Sequence, residues 1–179
     1  MAAARRVPDE PEPARIALLV AQTASELQAV RELFGEYARS LSVDLCFQNF
    51  DAELAGLPGD YAPPAGALLL ATVDEQPAGC VAMRPLPDCD HTNACEMKRL
   101  YVRPSFRRYG LGRQLTQHLM DVAAQSGHSC MLLDTLDDME AARGLYETLG
   151  FFEVPPYYFN PLPGAHYLKV VLGAPGAHW

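Results

Sequence analysis

The sequence predicts an α+β protein built on one mixed, mostly antiparallel sheet with helices on both sides. Two apolar segments, 67–73 and 79–83, flank a short polar turn, which is typical of an antiparallel hairpin. Further along, a strand pattern at 95–102, helical spacing at 111–124 and a buried strand at 130–133 indicate a strand–helix–strand crossover. Such a crossover joins parallel strands, so the sheet must contain both kinds of pairing.

The other elements follow from apolar spacing and from capping residues. Ser25 is a candidate helix start, and Gly150 ends the last helix because glycine suits a left-handed cap. These predicted elements are a strand at 16–20, a helix from Ser25 to Tyr37, a short helix from Phe50, a helix at 139–149 and final strands at 151–159 and 165–172.

Length and charge limit the possible functions. The 179 residues fit one domain, predicted at 15–173 between a flexible N-terminal tail at 1–14 and a C-terminal tail at 174–179. A net charge of −8 argues against a nucleic-acid partner, which would need a basic surface. No apolar run is long enough for a membrane helix, and five scattered cysteines favour a reduced, cytoplasmic protein. A homodimer is compatible with the sequence, which does not fix the oligomeric state.

The segment between Tyr101 and Arg113 predicts an anion-binding turn. A strand ends at Val102, and Gly110 and Gly112 stand where an amphipathic helix begins, so the backbone amides there can approach a ligand closely. Those amides and the helix dipole favour a phosphate group. Positive charge is added by four arginines: Arg103, Arg107, Arg108 and Arg113. A pyrophosphate is the natural ligand of such a turn.

Three other interpretations of this turn were weighed. A nucleotide P-loop is excluded because no Gly-Lys-Ser/Thr follows the glycines. A dinucleotide-binding turn would explain Asp134 as a ribose ligand, but Leu115 occupies the third glycine position and the approach from Val102 to Gly110 is too long. The third interpretation, which stays open, is a glycine-rich turn that binds no ligand and whose arginines are solvated.

Two motifs carry a family resemblance. Arg107-Arg-Tyr-Gly-Leu-Gly112, preceded by Val-Arg-Pro, resembles the Arg/Gln-x-x-Gly-x-Gly/Ala signature of the GNAT superfamily of N-acetyltransferases. Ala142-Arg-Gly-Leu-Tyr-Glu-Thr-Leu-Gly-Phe151 is similar to the Ala-x-x-Leu-Tyr-x-x-Leu-Gly-Phe segment of that family. Two motifs in the right order are much more specific than either alone, and the resemblance is sharp from Glu96 to Phe152.

The resemblance implies the GNAT fold, with splayed central strands that admit the pantetheine arm of acetyl-CoA, the cosubstrate. Met139 stands where the family usually has an asparagine, so one coenzyme contact differs here or is missing. The residues implied to bind the coenzyme are Leu100, Tyr101, Val102, Arg107, Arg108, Tyr109, Gly110, Leu111, Gly112, Arg113, Thr135 and Met139.

Three residues are candidates for the chemistry. Glu96 matches the position of a glutamate base in histone-type members of the family; the alternative is a solvated carboxylate at a strand start. Strict alternation would put Glu96 on one face with Lys98, Leu100 and Val102 unless a bulge intervenes. Tyr146 matches the tyrosine that protonates the leaving thiolate, although it would also suit a core position. The amide of Leu100 is the expected oxyanion donor.

An aromatic segment near the C terminus is the candidate acceptor wall. Tyr157, Tyr158 and Asn160 lie between a strand and a proline-bounded turn, where packing against the core is the alternative role. Weaker candidates for the opposite wall are Tyr37, Phe47 and Phe50. No metal is expected, because the spacing of Cys89, His91 and Cys95 matches no common zinc pattern.

The leading hypothesis is transfer of acetyl from acetyl-CoA to a primary amine of a small molecule by direct attack. A catalytically silent acyl-CoA-binding regulatory module is the alternative, motivated by Met139. A peptide or protein N-acetyltransferase is a third hypothesis, although the sequence shows no sign of a peptide groove.

Overall fold

The fold is a seven-stranded sheet with two helices packed against each face. It comes from a computed structural model, which describes residues 13–41, 44–45 and 48–173; the rest of the two predicted tails lies outside them. The elements are β1 (Ile16–Val20), α1 (Ala24–Ser40), α2 (Phe50–Ala55), β2 (Ala67–Val73), β3 (Gln76–Pro85), β4 (Ala94–Val102), α3 (Leu111–Gln125), β5 (Cys130–Leu136), α4 (Glu140–Thr148), β6 (Phe152–Glu153) and β7 (Ala165–Val171).

The strand order is β1-β2-β3-β4-β5-β7-β6. All neighbours run antiparallel except β4 and β5, which are parallel and joined through α3, so the predicted mixed sheet and its crossover are confirmed. Alternation along β2 separates two cores: Leu68 packs with α1 and α2, and Leu69 packs with α3. No helix among the described residues is both long and apolar enough to cross a membrane.

Local capping explains where the first helix begins. The hydroxyl of Thr23 accepts a hydrogen bond from the backbone amide of Glu26 at 3.3 Å, and the Glu26 carboxylate accepts one from the Thr23 amide at 2.9 Å. This capping box satisfies two amides that a helix leaves unpaired, and it places the helix start at Ala24 rather than at Ser25.

The central strands separate where a binding site was expected. β4 and β5 pair only at their first three residues, where Ala94–Glu96 of β4 lies beside Cys130–Leu132 of β5. Beyond that point β5 continues its pairing with β7, while the second half of β4 keeps only β3 as a neighbour. The resulting gap is the splay that the sequence resemblance implied.

β4 also contains a bulge. Cys80 of β3 pairs with Tyr101 and Ala82 pairs with Lys98, so β4 holds one more residue than β3 over this stretch. Arg99 lies within it and has a φ of 63°, a left-handed conformation that is uncommon outside glycine. The bulge reverses the side-chain alternation of the strand.

Strict alternation therefore does not hold along β4, and the bulge given as its alternative is what forms. Leu100 and Val102 pack toward the α3 core, together with Met97. Glu96 and Lys98 flank Met97 in an unbroken stretch of strand, so they lie on the opposite face. The strand predicted at 151–159 was also wrong in length: β6 ends at Glu153, because two prolines soon follow and proline cannot donate to a strand ladder.

Candidate active site

A cavity of about 510 Å³ occupies the gap between β4 and β5, within the size range of small-molecule sites. α4 and the C-terminal end of α1 contribute further walls. Of the twelve residues predicted to bind the coenzyme, seven line it: Leu100, Tyr101, Val102, Arg107, Gly112, Thr135 and Met139. The other five lie around the turn that leads into α3 and are not part of its lining: Arg108, Tyr109, Gly110, Leu111 and Arg113.

The turn before α3 leaves room for an anion. Gly110 has a φ of 66°, and a side-chain carbon there would meet no atom within 4 Å. At Gly112 the nearest atom would be a methyl of Leu145 at 3.5 Å. Open space thus adjoins the unpaired amides at the start of α3, which is the geometry of a phosphate site.

The arginines of this turn differ in availability. Arg107, Arg108 and Arg113 are exposed, so their charges can reach a ligand. Arg103 instead forms an ion pair with Glu36 of α1 at 2.7 Å and donates to the carbonyl of Pro77. Three arginines rather than four therefore contribute free positive charge to the turn.

Tyr146 lies in α4 and lines the cavity. Its ring packs on Phe151 with centroids 5.5 Å apart, and its hydroxyl makes no hydrogen bond to the part of the chain that the structure describes. Burial raises the pKa of Tyr146 above its ordinary value, so the phenol stays protonated at neutral pH. A protonated phenol therefore lies beside the gap, and its role as proton donor stays a prediction.

Glu96 is 1% exposed and does not line the cavity. One carboxylate oxygen accepts from Nε of Arg84 at 2.9 Å, and the other accepts from the Tyr157 hydroxyl at 2.9 Å. Burial alone would raise the pKa of Glu96, but the charges of Lys98 and Arg84 and these hydrogen bonds bring it below its ordinary value. The carboxylate is thus buried and ion-paired, unlike the solvated alternative, and it is a weak base.

The aromatic segment after β6 donates hydrogen bonds to two carboxylates of the central strands. Tyr157 donates to Glu96, and Tyr158 donates to Asp134 at 2.8 Å. Asn160 donates to the same oxygen of Asp134 at 3.1 Å and is the one of the three predicted acceptor residues that lines the cavity. The two tyrosines therefore contact carboxylates rather than the cavity itself, and their role in an acceptor wall stays a prediction.

Five charged residues of the cavity wall were not predicted as site residues, and Lys98, Arg99 and Asp134 are the three of them that lie on the central strands. The sequence feature that could have identified these three is a charged residue within a segment that otherwise has the apolar pattern of a buried strand. Arg99 is paired with both carboxylate oxygens of Glu53, at 2.9 and 2.7 Å, and donates to Gln48. Lys98 and Asp134 have no such close mutual contact, since 3.8 Å separates their charged atoms.

The remaining candidates have ordinary places. Tyr37 lines the cavity, Phe50 lies under the Arg99 guanidinium at 5.2 Å, and Phe47 lies outside the described residues. The Cys89 thiol donates to the carbonyls of Leu86 and His91. Within 13–41, 44–45 and 48–173, no three acidic, cysteine or histidine side chains are grouped to hold a metal ion.

Thr135 and Met139 form the wall where the family usually has an asparagine. The Thr135 hydroxyl lies 3.6 Å from the Met139 sulfur, and Met139 caps the start of α4. Thioether sulfur is a weak acceptor and no donor, so Met139 offers the cavity an apolar surface where an asparagine would offer hydrogen bonds.

Comparison with known proteins agrees with this geometry. Residues 27–151 match the family described as Acetyltransferase (GNAT) family. An uncharacterized N-acetyltransferase of Schizosaccharomyces pombe is 39% identical over 162 residues, which cover 89% of this chain and 96% of that protein. An N-acetylaspartate synthetase of Danio rerio is 28% identical over 129 residues, covering 72% of this chain and 45% of that protein.

A solved structure shows the same fold. A putative acetyltransferase from Salmonella typhimurium, with its cofactor acetyl-CoA, has a TM-score of 0.65 at 19% identity and covers 90% of this chain and 96% of that one. The family match, the splayed strands and the open glycine turn all point the same way. The chain belongs to the GNAT family of acetyl-CoA-dependent N-acetyltransferases.

Proposed function

We propose that the enzyme transfers acetyl from acetyl-CoA to a primary amine of a small molecule by direct attack, with Tyr146 as the general acid. The observation that carries this proposal is the Tyr146 phenol, which lines the cavity without a hydrogen bond to any described residue. The half of β4 that does not pair with β5, which carries Leu100, lines the same cavity. The Leu100 amide is the candidate donor for the carbonyl oxygen, and the Tyr146 phenol is the candidate donor for the sulfur.

The residues divide the chemistry between them. Acetyl-CoA supplies an acetyl group on a thioester when it is bound. The Leu100 amide donates a hydrogen bond to the carbonyl oxygen while the amine nitrogen bonds to the carbonyl carbon. Tyr146 gives its proton to the sulfur as the carbon–sulfur bond breaks, and the proton lost by nitrogen returns to the phenol through solvent. No covalent bond to the protein is required.

Glu96 as the general base stays a prediction with weaker support. Because its carboxylate is outside the cavity lining and is occupied by Arg84 and Tyr157, it would act only through water. Its lowered pKa makes it a poorer proton acceptor than an ordinary glutamate. Tyr146 is therefore the firmer assignment.

A small-molecule acceptor is supported by the loop beside the cavity. Asn160 lines the cavity, and Asn160 and Tyr158 both donate hydrogen bonds to Asp134, another residue of the lining, so this loop is tied to the cavity wall. The relative named N-acetylaspartate synthetase has an acetylated amino acid in its name, which supports a small acceptor. Peptide acetylation has no comparable support.

The direct test is release of CoA thiol from acetyl-CoA with a broad panel of primary amines and short peptides. We expect at least one small amine to be acetylated, with the product identified by mass spectrometry. Calorimetry that shows tight coenzyme binding, without turnover of any acceptor, would instead favour the regulatory module. That alternative is suggested by Met139, which replaces the usual asparagine of the family.

Coenzyme binding gives a second expected result, at the glycine turn. Gly112→Val places a branched side chain beside the unpaired amides of α3, so the Kd for CoA should rise at least about 10-fold. Gly144→Val in α4 is the matched control, since a side-chain carbon there meets no atom within 4 Å and Gly144 does not line the cavity. Isothermal titration with CoA measures both, and equal affinities for the two variants would contradict the assigned phosphate site.

A further inference from the structure

Lys98 presents a buried ammonium to the cavity. Its side chain is 5% exposed, and its Nζ lies 3.6 Å from Glu96 and 3.8 Å from Asp134. Both distances exceed the roughly 2.7–3.2 Å of a direct hydrogen bond, and no described residue accepts one from Nζ. A buried charged donor without close acceptors is costly, so an anion bound in the cavity would satisfy it.

Asp134 offers the opposite charge on the facing strand. Its Oδ2 accepts hydrogen bonds from Tyr158 and Asn160. Its Oδ1, by contrast, has only the 3.8 Å contact with Lys98 among the described residues, and the side chain is 14% exposed. One carboxylate oxygen is thus held in place and the other is free to accept from a ligand.

The neighbouring charges do not compete for the same ligand. Arg99 is paired with Glu53 through two hydrogen bonds, and Arg84 is paired with Glu96. The ammonium of Lys98 and Oδ1 of Asp134 are left facing each other with unused hydrogen-bonding capacity of opposite sign. Such a pair complements a molecule that carries both charges close together.

We propose that the acceptor is an amino acid or a close analogue, a primary amine with a neighbouring carboxylate, held with its carboxylate on Lys98 and its amino group on Asp134. This inference rests on the proposed acetyltransferase function. Lys98, Asp134 and Leu100 line the same cavity, so an amine at Asp134 lies in the cavity where the acetyl group is expected. A simple monoamine would leave the Lys98 ammonium unsatisfied.

The experiment compares matched acceptors that share one side chain: a free amino acid, its carboxamide and its decarboxylated amine. We expect kcat/KM for the amino acid to exceed that for each analogue by about 10- to 100-fold, the value of one charge-assisted hydrogen bond. Lys98→Met should reduce this ratio toward one, and Lys98→Arg should restore part of it. Lys169→Met, on β7 and outside the cavity lining, is the control that should keep the ratio.

A direct binding measurement on the unaltered protein tests the same inference if a variant loses turnover or does not fold. The CoA-loaded protein is titrated with the N-acetyl amino acid and with the N-acetyl derivative of the decarboxylated amine, and the first should bind at least about 10-fold tighter. Equal kcat/KM values for amino acid and amine, or equal binding of the two products, would overturn the inference while leaving the acetyltransferase proposal intact. Absence of any acetylated product would count against the acetyltransferase proposal itself.

Discussion

Tyr146→Phe is expected to lower kcat by about 100-fold or more, because it removes the proton donor for the departing thiolate. The phenylalanine ring keeps the packing on Phe151, so the Tm and the Kd for CoA should stay close to those of the unaltered enzyme. Steady-state rates at saturating acetyl-CoA measure the effect. Because burial raises the pKa of Tyr146 above its ordinary value, the phenol should stay protonated at neutral pH, and the residual rate of the variant should show the same neutral-pH profile.

Tyr61→Phe is the matched control for the loss of a tyrosine hydroxyl. Tyr61 is 2% exposed, its hydroxyl has no hydrogen-bond partner among the described residues, and it does not line the main cavity. Its removal should leave kcat unchanged. A Tyr146→Phe enzyme as fast as this control would show that the proton reaches the sulfur from another source.

Much of this arrangement could be predicted from the sequence because it depends on neighbours along the chain. The glycine turn, the helix that follows it and the position of Tyr146 are set by local motifs. The crossover from β4 to β5 follows from the order of elements, and parallel pairing follows from the crossover. The predicted strand at 95–102 and helix at 111–124 agree with β4 and α3 to within one residue, whereas β5 extends to Leu136 beyond the predicted end at 133.

The charged wall of the cavity could not be predicted in the same way. Arg99 meets Glu53, 46 positions away along the chain, and Tyr157 meets Glu96 across 61 positions. Such pairs form only once the sheet and its loops are assembled. The bulge at Arg99 adds a second obstacle, since one extra residue reverses which side chains of β4 face the acceptor.

Glu96→Gln is expected to lower the free energy of unfolding by about 3 kcal/mol, because it leaves Lys98 and Arg84 without their buried counter-charge. We place the effect at the lower end of the usual range because the Arg84 side chain is 35% exposed and solvent can partly compensate it. Urea unfolding at neutral pH measures the loss. Glu147→Gln, on the exposed surface of α4, should change the free energy of unfolding by less than about 0.5 kcal/mol.

The pH dependence separates the structural role of Glu96 from a role as base. Its pKa in the folded protein lies below the ordinary 4.5, so its contribution to stability is complete above that value and is lost as pH falls through the folded pKa. The stability gap between the enzyme and Glu96→Gln should therefore be constant at neutral pH and shrink in acid. For the same reason, any acid limb of kcat/KM between about pH 6 and 9 belongs to another group and should keep its midpoint in the variant. If that limb disappeared in Glu96→Gln, Glu96 would be the base despite its ion pairs, and the coenzyme and acceptor would have to raise its pKa when they bind.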